Sequence, residues 1–516
     1  MPVDHDLAEV YPEFFGAADW IERRAPAGFK IIFVSEESVN AASDRSQSAP
    51  NQIVIARTSM SPELFLVYTM WVLILFEPEW WLARFGAEPL KSLPTVLLPL
   101  LVCVAVSKAQ RRALCWPMAL FLVLHTVPLP FVTNRGLAMP LFKTVLLYYA
   151  VMVVSAATID RVHKLLPIVW MFLLQFVWWG IHGLPEGRVS WHSLLANEDG
   201  YGPEMVIGVA FAGFFALGAR SKGIRVLAGI TVALCGFGIV ASVARGAAMA
   251  TAVVLVVVWL RSHRKLAMLG ALLFAIGTIV IASFVFYPNG EFWSEMASIH
   301  DDIASIDDYD PYSGECVRAA SKRACGSAND RWDLWGVGWL VFLRSPLVGV
   351  GPGNVGSYAA ENLRPGEAKG FYADPDHIYG KVMHDIYVQI LAEQGLIGVV
   401  IFLLILVDFM RRNRSLRTKA AIERWEKASH GRFDLQSISL GLEGAMVGFL
   451  ASGVFYDQLY SNSLYSLVAL NFVLSLVTQP GTVPKTDQAE PGGGTEPGVP
   501  APEQPHRREW WLPKPY

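Results

Sequence analysis

This sequence is short of charge. Of 516 residues only 17 % are Asp, Glu, Lys or Arg, while 53 % are hydrophobic and the mean hydropathy is +0.38. Soluble domains carry about 25 % charged residues, so the deficit excludes an ordinary soluble protein and points to a chain that crosses a membrane many times. Cysteine is scarce as well: five residues do not make a disulfide scaffold. Cys103, Cys115 and Cys235 lie in apolar runs and read as buried thiols. Cys316 and Cys325 stand in a polar loop, where they either form a disulfide in an oxidising compartment or remain two free thiols. The opening MPVDHDLAEVYPEFFG has neither a basic n-region nor an apolar h-region, so no cleaved signal peptide is expected. Glycines gather at 349, 351, 353 and 356, but without the strand and following soluble helix of a nucleotide-binding fingerprint. Asp374, Asp376 and His377 offer ligand-type atoms with no second cluster to complete a metal site. Glu77, Glu79 and Glu88 lack metal-ligand spacing, so neither metal nor cofactor is expected.

Long apolar runs are what is present. Twelve occur, near 62–80, 92–107, 113–132, 139–157, 164–182, 203–219, 224–242, 246–260, 266–287, 386–410, 438–457 and 462–479. Their lengths approach or reach the roughly 20 residues that a bilayer core requires. One set of connecting loops is basic: Lys108, Arg111 and Arg112; Arg161 and Lys164; Arg220, Lys222 and Arg225; Arg261, Arg264 and Lys265; and the stretch 411–432. The alternate set is nearly bare, with Arg84, Lys91, Arg135, Arg188 and Arg245. Positive charge stays on the cytoplasmic side, and twelve spans with both termini inside satisfy that alternation at every turn. The expected fold class is an all-α polytopic membrane protein. Its divisions are an N-terminal cytoplasmic extension at 1–60, nine transmembrane helices over 61–287, a large exterior loop at 288–385, three more helices over 386–479, and a disordered Pro/Gly-rich cytoplasmic tail at 480–516.

The exterior loop holds 8 Lys and Arg against 15 Asp and Glu, a balance that gives no reason to expect nucleic acid. Within it Arg331 precedes Trp332, Leu334, Trp335, Trp339, Leu340 and Phe342, spaced for a helix with one broad apolar face lying at the membrane surface or against the bundle. Ser345-Pro346 ends that helix. The glycines that follow are either a plain structural turn or a set of backbone N–H groups offered to an anion.

Three residues carry the candidate chemistry. Arg245 sits between two apolar runs, where a charge is costly unless paired or turned to water; it marks a helix end or clamps an anion. Arg331 is an interfacial anchor or a bidentate partner for phosphate. His384, at the lip of the tenth span, faces solvent or accepts a proton from a hydroxyl. Glu393 is about 13 Å further along a helix. It cannot reach His384 within that helix, so it is expected to fix a turn, another helix or Gly395.

These residues stand in a familiar order. Arg245-Gly246 at a membrane edge, Arg331 with Trp335 and Ser345-Pro346-Leu347-Val348-Gly349-Val350-Gly351, then His384-Asp385-Ile386-Tyr387 and Leu391-Ala392-Glu393-Gln394-Gly395-Leu396-Ile397-Gly398 resemble the O-antigen ligase and O-antigen polymerase superfamily of bacterial envelope enzymes. The resemblance runs over about residues 200–410. Asp385 departs from it, because Asn is usual after the His. It implies a fold related to the multispanning lipid-dependent glycosyltransferases, in the bacterial inner membrane with the active site periplasmic. It also implies a metal-independent inverting transferase without cofactor. The donor is a glycan on undecaprenyl pyrophosphate. The acceptor is a hydroxyl of lipid A-core in the ligase branch, of another glycan in the polymerase branch, or of protein in related branches. Under this reading His384, Arg245 and Arg331 are catalytic, Gly351, Gly353 and Tyr387 contact substrate, and Asp385, Glu393 and Gly395 support them. Membrane lipids surround the chain. A transporter of lipid-linked glycan is the competing class; broken helices with charges near the midplane are its better sign.

Overall fold

The structure, a computed structural model, describes residues 60–479 apart from 109–112, 193–194, 262–264, 291, 298–308, 311–314, 317–321, 369–371, 373 and 430–433, together with the backbone of 30–35 and 52–57. Side chains at 309–310, at 315–316, at 322–330, at 375 and at several positions within 267–278 are outside that description. The pairing of Cys316 with Cys325 and the tail at 480–516 therefore fall outside the described residues. In the N-terminal extension, β1 (Lys30–Ser35) and β2 (Gln52–Arg57) pair in parallel, Lys30 opposite Gln52.

Each of the twelve apolar runs falls on a helix. They are α1 (Pro62–Phe76), α3 (Leu93–Lys108), α4 (Trp116–Thr126), α5 (Arg135–Thr158), α6 (Val162–Gly183), α7 (Glu198–Gly218), α8 (Lys222–Ser242), α9 (Arg245–Arg261), α10 (Lys265–Phe286), α13 (Ile386–Ser415), α15 (Leu435–Ser452) and α16 (Asn462–Val477). Short α2 (Pro78–Ala83) follows α1, α14 (Lys419–Ser429) follows α13, and the exterior loop supplies β3 (Tyr309–Asp310), β4 (Glu315–Cys316), α11 (Lys322–Arg344) and α12 (Val355–Asn362). Among the described residues, seven helical segments are long and apolar enough to cross a membrane: Glu88–Lys108, α5, α6, α7, α8, α13 and α15. Helices α1, α4 and α16 are shorter apolar ones. The protein is an all-α polytopic membrane protein.

Side-chain oxygens supplied by the sequence start several of these helices. Ser61 Oγ accepts from Leu64 N at 3.2 Å, Asn134 Oδ1 from Leu137 N at 3.3 Å and Asn197 Oδ1 from Gly200 N at 2.7 Å, each satisfying a backbone donor that the first turn leaves unpaired. Helix α7 is the centre of the bundle and packs on α8, α9 and α15. It buries Tyr201, Met205, Ile207 and Phe211. Close approach depends on small residues, as expected where lipid supplies no hydrophobic drive between helices. A Cβ on Gly208 would lie 2.6 Å from Cys235 Sγ. At the rim, α3 is apolar all round, and Val96, Leu100 and Val106 are exposed on it. Cys103 is exposed too, whereas Cys115 and Cys235 are buried; the expectation of three buried thiols fails at Cys103 because an apolar run at the rim meets lipid rather than protein.

Basic turns from different helices meet at one end. Arg261 and Arg417 both pair with Glu443, Arg220 pairs with Glu426, and the Tyr68 hydroxyl donates to Lys164 O at 2.8 Å. The start of α13 and the α15–α16 connection lie at the other end.

Candidate active site

Helix α11 brings Arg331 to that second end. Its buried face, Leu334, Val337 and Val341, packs on Val355, Ala359, Ile378 and Met383, so the exterior loop has a small core of its own. Trp335 Nε1 donates to Met383 O at 3.0 Å, and Gly338 lets α11 lie against Val388 and Met383. The segment read as amphipathic is therefore clamped beside His384, while Trp332 and Trp339 remain exposed.

Arg331 Nη2 donates to Asp199 Oδ2 at 3.2 Å. Asp199 lies in the first turn of α7 behind the Asn197 cap. His384 is half-buried beside both: burial, then the Arg331 guanidinium, then Lys381 depress its proton affinity below the ordinary imidazole value, and only Asp199 opposes them. Its Nδ1 is buried without a hydrogen-bond partner. The backbone of His384 has φ +50°, a left-handed conformation that costs a residue with a Cβ about 1–3 kcal/mol.

Asp385 caps α13. Its Oδ1 accepts from Tyr387 N at 2.7 Å and from Val388 N at 2.8 Å, which engages the carboxylate with the helix rather than with His384. The Tyr387 ring is partly exposed and its hydroxyl donates to Leu450 O at 2.8 Å.

Arg245 opens α9 two residues after Val243, another left-handed residue at φ +52°. Its guanidine is largely buried and its Nε lies 3.6 Å from Glu295 Oε1. Gly202 of α7 packs on Ser242, Ala244 and Ala247, and Gly246 packs on Phe455. The α15–α16 connection links all three candidates. Gly453 O accepts from Ile386 N at 2.9 Å, Phe455 covers Gly246, and the Tyr456 hydroxyl shares a hydrogen bond with the Asn197 side chain. Arg331 and His384 thus feel each other's charge, and Arg245 is linked to them through α7 and this connection.

Below His384, α13 is not continuous. Gly395 has φ +63° and ψ −164°, and the turn after α11 is spliced into the break. Leu396 N donates to Pro346 O at 2.8 Å and Ile397 N to Leu347 O at 3.1 Å, while Val350 N and Gly351 N donate to Ala392 O and Glu393 O. A Cβ on Gly395 would stand 2.4 Å from Leu347 C, and one on Gly349 2.2 Å from Glu393 C. The glycines at 349 and 395 are there because two backbones touch. Glu393 is buried and its carboxylate accepts from Gln389 Nε2 at 3.0 Å, from the Tyr460 hydroxyl at 2.6 Å and from the Gly353 backbone. The N–H groups of Gly351 and Gly353 are therefore committed inside the protein.

Sequence reasoning passed over Asp199, which looks like any acidic residue in a first helical turn. It also passed over a buried polar set behind the site. Glu77 Oε2 lies 2.9 Å from His192 Nε2, Asn462 Nδ2 donates to Glu77 Oε1 at 2.5 Å, and Ser463 donates to Glu204. His192, Glu204, Asn462 and Ser463, with Tyr456, Asp457 and Gln458, line a cavity of about 30 Å³, room for a water or two. Burial lifts the Asp457 carboxyl to about 6. The signal available was Glu77 inside the first apolar run, a charge placed where charge is costly.

Among the described residues, no group of three or more His, Cys, Asp or Glu is placed to hold a metal ion. Asp374 and Asp376 instead form a small turn, with Asp374 Oδ1 accepting from Asp376 N at 3.1 Å. A search of curated proteins finds no match to the chain. Residues 230–403, the segment that carries Arg245, Arg331 and His384, match the family model described as O-antigen ligase.

Proposed function

We propose that the protein is a glycan ligase that transfers a saccharide from undecaprenyl pyrophosphate to an acceptor hydroxyl, of lipid A-core or a similar surface glycolipid, at the periplasmic face of the bacterial inner membrane. The family match supports a ligase or transferase role, and the basic end of the bundle, taken as cytoplasmic, leaves Arg331 and His384 outside. On this reading 1–60 and 480–516 are cytoplasmic, and 288–385 is the periplasmic loop. The observation that carries the reading is His384. It has a buried, unpartnered Nδ1, its proton affinity is depressed, and the Arg331–Asp199 pair stands beside it. Such an imidazole is neutral near pH 7 and can accept a proton.

The acceptor oxygen attacks the anomeric carbon, His384 takes the hydroxyl proton, and the bond from that carbon to the phosphate oxygen breaks with its electron pair leaving on undecaprenyl pyrophosphate. Direct displacement inverts the anomeric centre. Arg331 and Arg245 stabilise the charge that develops on the leaving group; Asp199 orients Arg331. Tyr387, partly exposed beside His384, borders the acceptor side. Gly351 and Gly353 act by holding Glu393 and the α13 break rather than by contacting the donor. No step requires a metal ion. The polymerase branch shares this chemistry and differs in the acceptor. Transport is less well supported: α13 is broken, but the spliced turn fills the break and satisfies its backbone, which leaves no open ion or substrate site there. Purified protein in nanodiscs should release undecaprenyl pyrophosphate from a lipid-linked glycan only when acceptor is added, and should do so in EDTA. Movement of intact donor across the bilayer without bond cleavage would contradict the proposal.

A further inference from the structure

The loop that carries α11 does not stay in water. We infer that its Ser345–Val348 turn, together with Phe131 of the α4–α5 connection, is immersed in the hydrocarbon of the exterior leaflet and fixes the height of Arg331 and His384 above the membrane. Three observations lead there, and none depends on whether the chain transfers a glycan.

The first is register. Leu396 and Ile397 of α13 bond to Pro346 and Leu347, so the turn sits at their depth. Arg411 is exposed at the basic end of the same helix. A core of about 30 Å takes about 20 helical residues, which places the exterior boundary near Leu391. Leu396 is about 22 Å from Arg411 along the axis, hence about 7 Å inside that boundary.

The second is continuity of exposed apolar surface. Leu403, Leu404 and Val407 are exposed along α13, Val400 is 56 % exposed, and the stripe runs through Leu396 and Ile397 into Leu347 at 62 % and Val348 at 47 %. Helix α4 packs beside α13. Its stripe of Leu120, Val123 and Val127 ends at Phe131, 86 % exposed, and the connection touches the glycine turn where Gly351 meets Pro128 and Val132. Two lipid-facing stripes thus converge on one collar.

The third is that backbone in hydrocarbon must be satisfied internally. Besides the splice to α13, Gly349 N donates to Ser345 O at 3.0 Å and Ser345 Oγ to Gly349 O at 2.8 Å. Arg344, the charge next to the turn, points back to Asn362 O at 2.6 Å and Glu367 Oε1 at 2.5 Å, the behaviour of a basic side chain that snorkels away from lipid.

Two measurements on the full chain in nanodiscs test this. A membrane-impermeant maleimide, applied to Leu347→Cys and to Glu361→Cys, is read by peptide mass spectrometry against the wild-type cysteines. Leu347→Cys should label about tenfold more slowly than Glu361→Cys, because the reactive thiolate forms only in water, and both should label after denaturation in SDS. For the wild-type chain, a phospholipid with a photoactivated diazirine in its acyl chain should mark the peptides containing Phe131 and Leu347 as it marks the one containing Val400. Equal maleimide rates for the two cysteines, or acyl-chain adducts at Val400 without any at Leu347, would overturn the inference.

Discussion

His384 occupies left-handed backbone space that favours glycine and tolerates Asn, so His384→Asn keeps the turn, removes the base and separates folding from chemistry. The sign of its pH dependence follows from its neighbours. Burial and two cations disfavour the imidazolium, so the acid limb of kcat/KM should lie below the ordinary imidazole value of about 6.5. Removing a cation by Arg331→Gln should move whatever limb remains upward, and removing the opposing charge by Asp199→Asn should move it further down. A pH profile of initial transfer rates checks both directions. Arg245→Lys and Arg331→Lys keep charge but lose the planar fork, and each should cost about 2–4 kcal/mol of transition-state stabilisation, read as lower turnover more than weaker donor binding. Arg245, Arg331 and His384 stood out in the sequence as candidates because a charge beside an apolar run needs a reason. Asp199 did not, since its importance comes from Arg331, which the fold brings to it from across the chain.

At the scale of elements, the turn after α11 and the break in α13 are one structure. Gly395→Ala and Gly349→Ala each place a methyl into facing backbone at a positive φ, and should destabilise the protein by at least the roughly 1–3 kcal/mol of left-handed strain. Thermal denaturation in nanodiscs should show that loss, together with falling transfer, while Gly336→Ala, which meets open space on α11, should show neither. Glu393→Ala leaves Gln389, Tyr460 and the Gly353 N–H without their shared acceptor, and an unmet buried donor costs about 1–3 kcal/mol. From sequence, Ile386 to Met410 reads as one continuous span, and the glycines at 349–356 read as either a turn or an anion cradle. Hydropathy cannot distinguish them. The partners of Leu396 and Ile397 lie in a different part of the chain, and neither local propensity nor apolar period encodes that pairing.

For the whole molecule, the sorting of charge to loops was the strongest signal. Basic turns that are far apart in sequence meet through Glu443 and Glu426, and all twelve apolar runs fall on helices. Burial within the bundle was less legible, as Cys103 shows, because lipid and protein interiors select the same side chains. If the basic end is cytoplasmic, Glu361→Cys should react with impermeant maleimide added to intact spheroplasts. A cysteine at Ser415 should react only after the membrane is opened. The central claim is that Arg331 and His384 perform glycosyl transfer from a lipid-linked donor. Its most direct test is the rate of undecaprenyl pyrophosphate release in nanodiscs, with acceptor present, for wild type and His384→Asn matched for thermal stability and donor binding. The account predicts donor bound equally by both proteins and transfer lost in the variant; transfer at the wild-type rate by His384→Asn would contradict it.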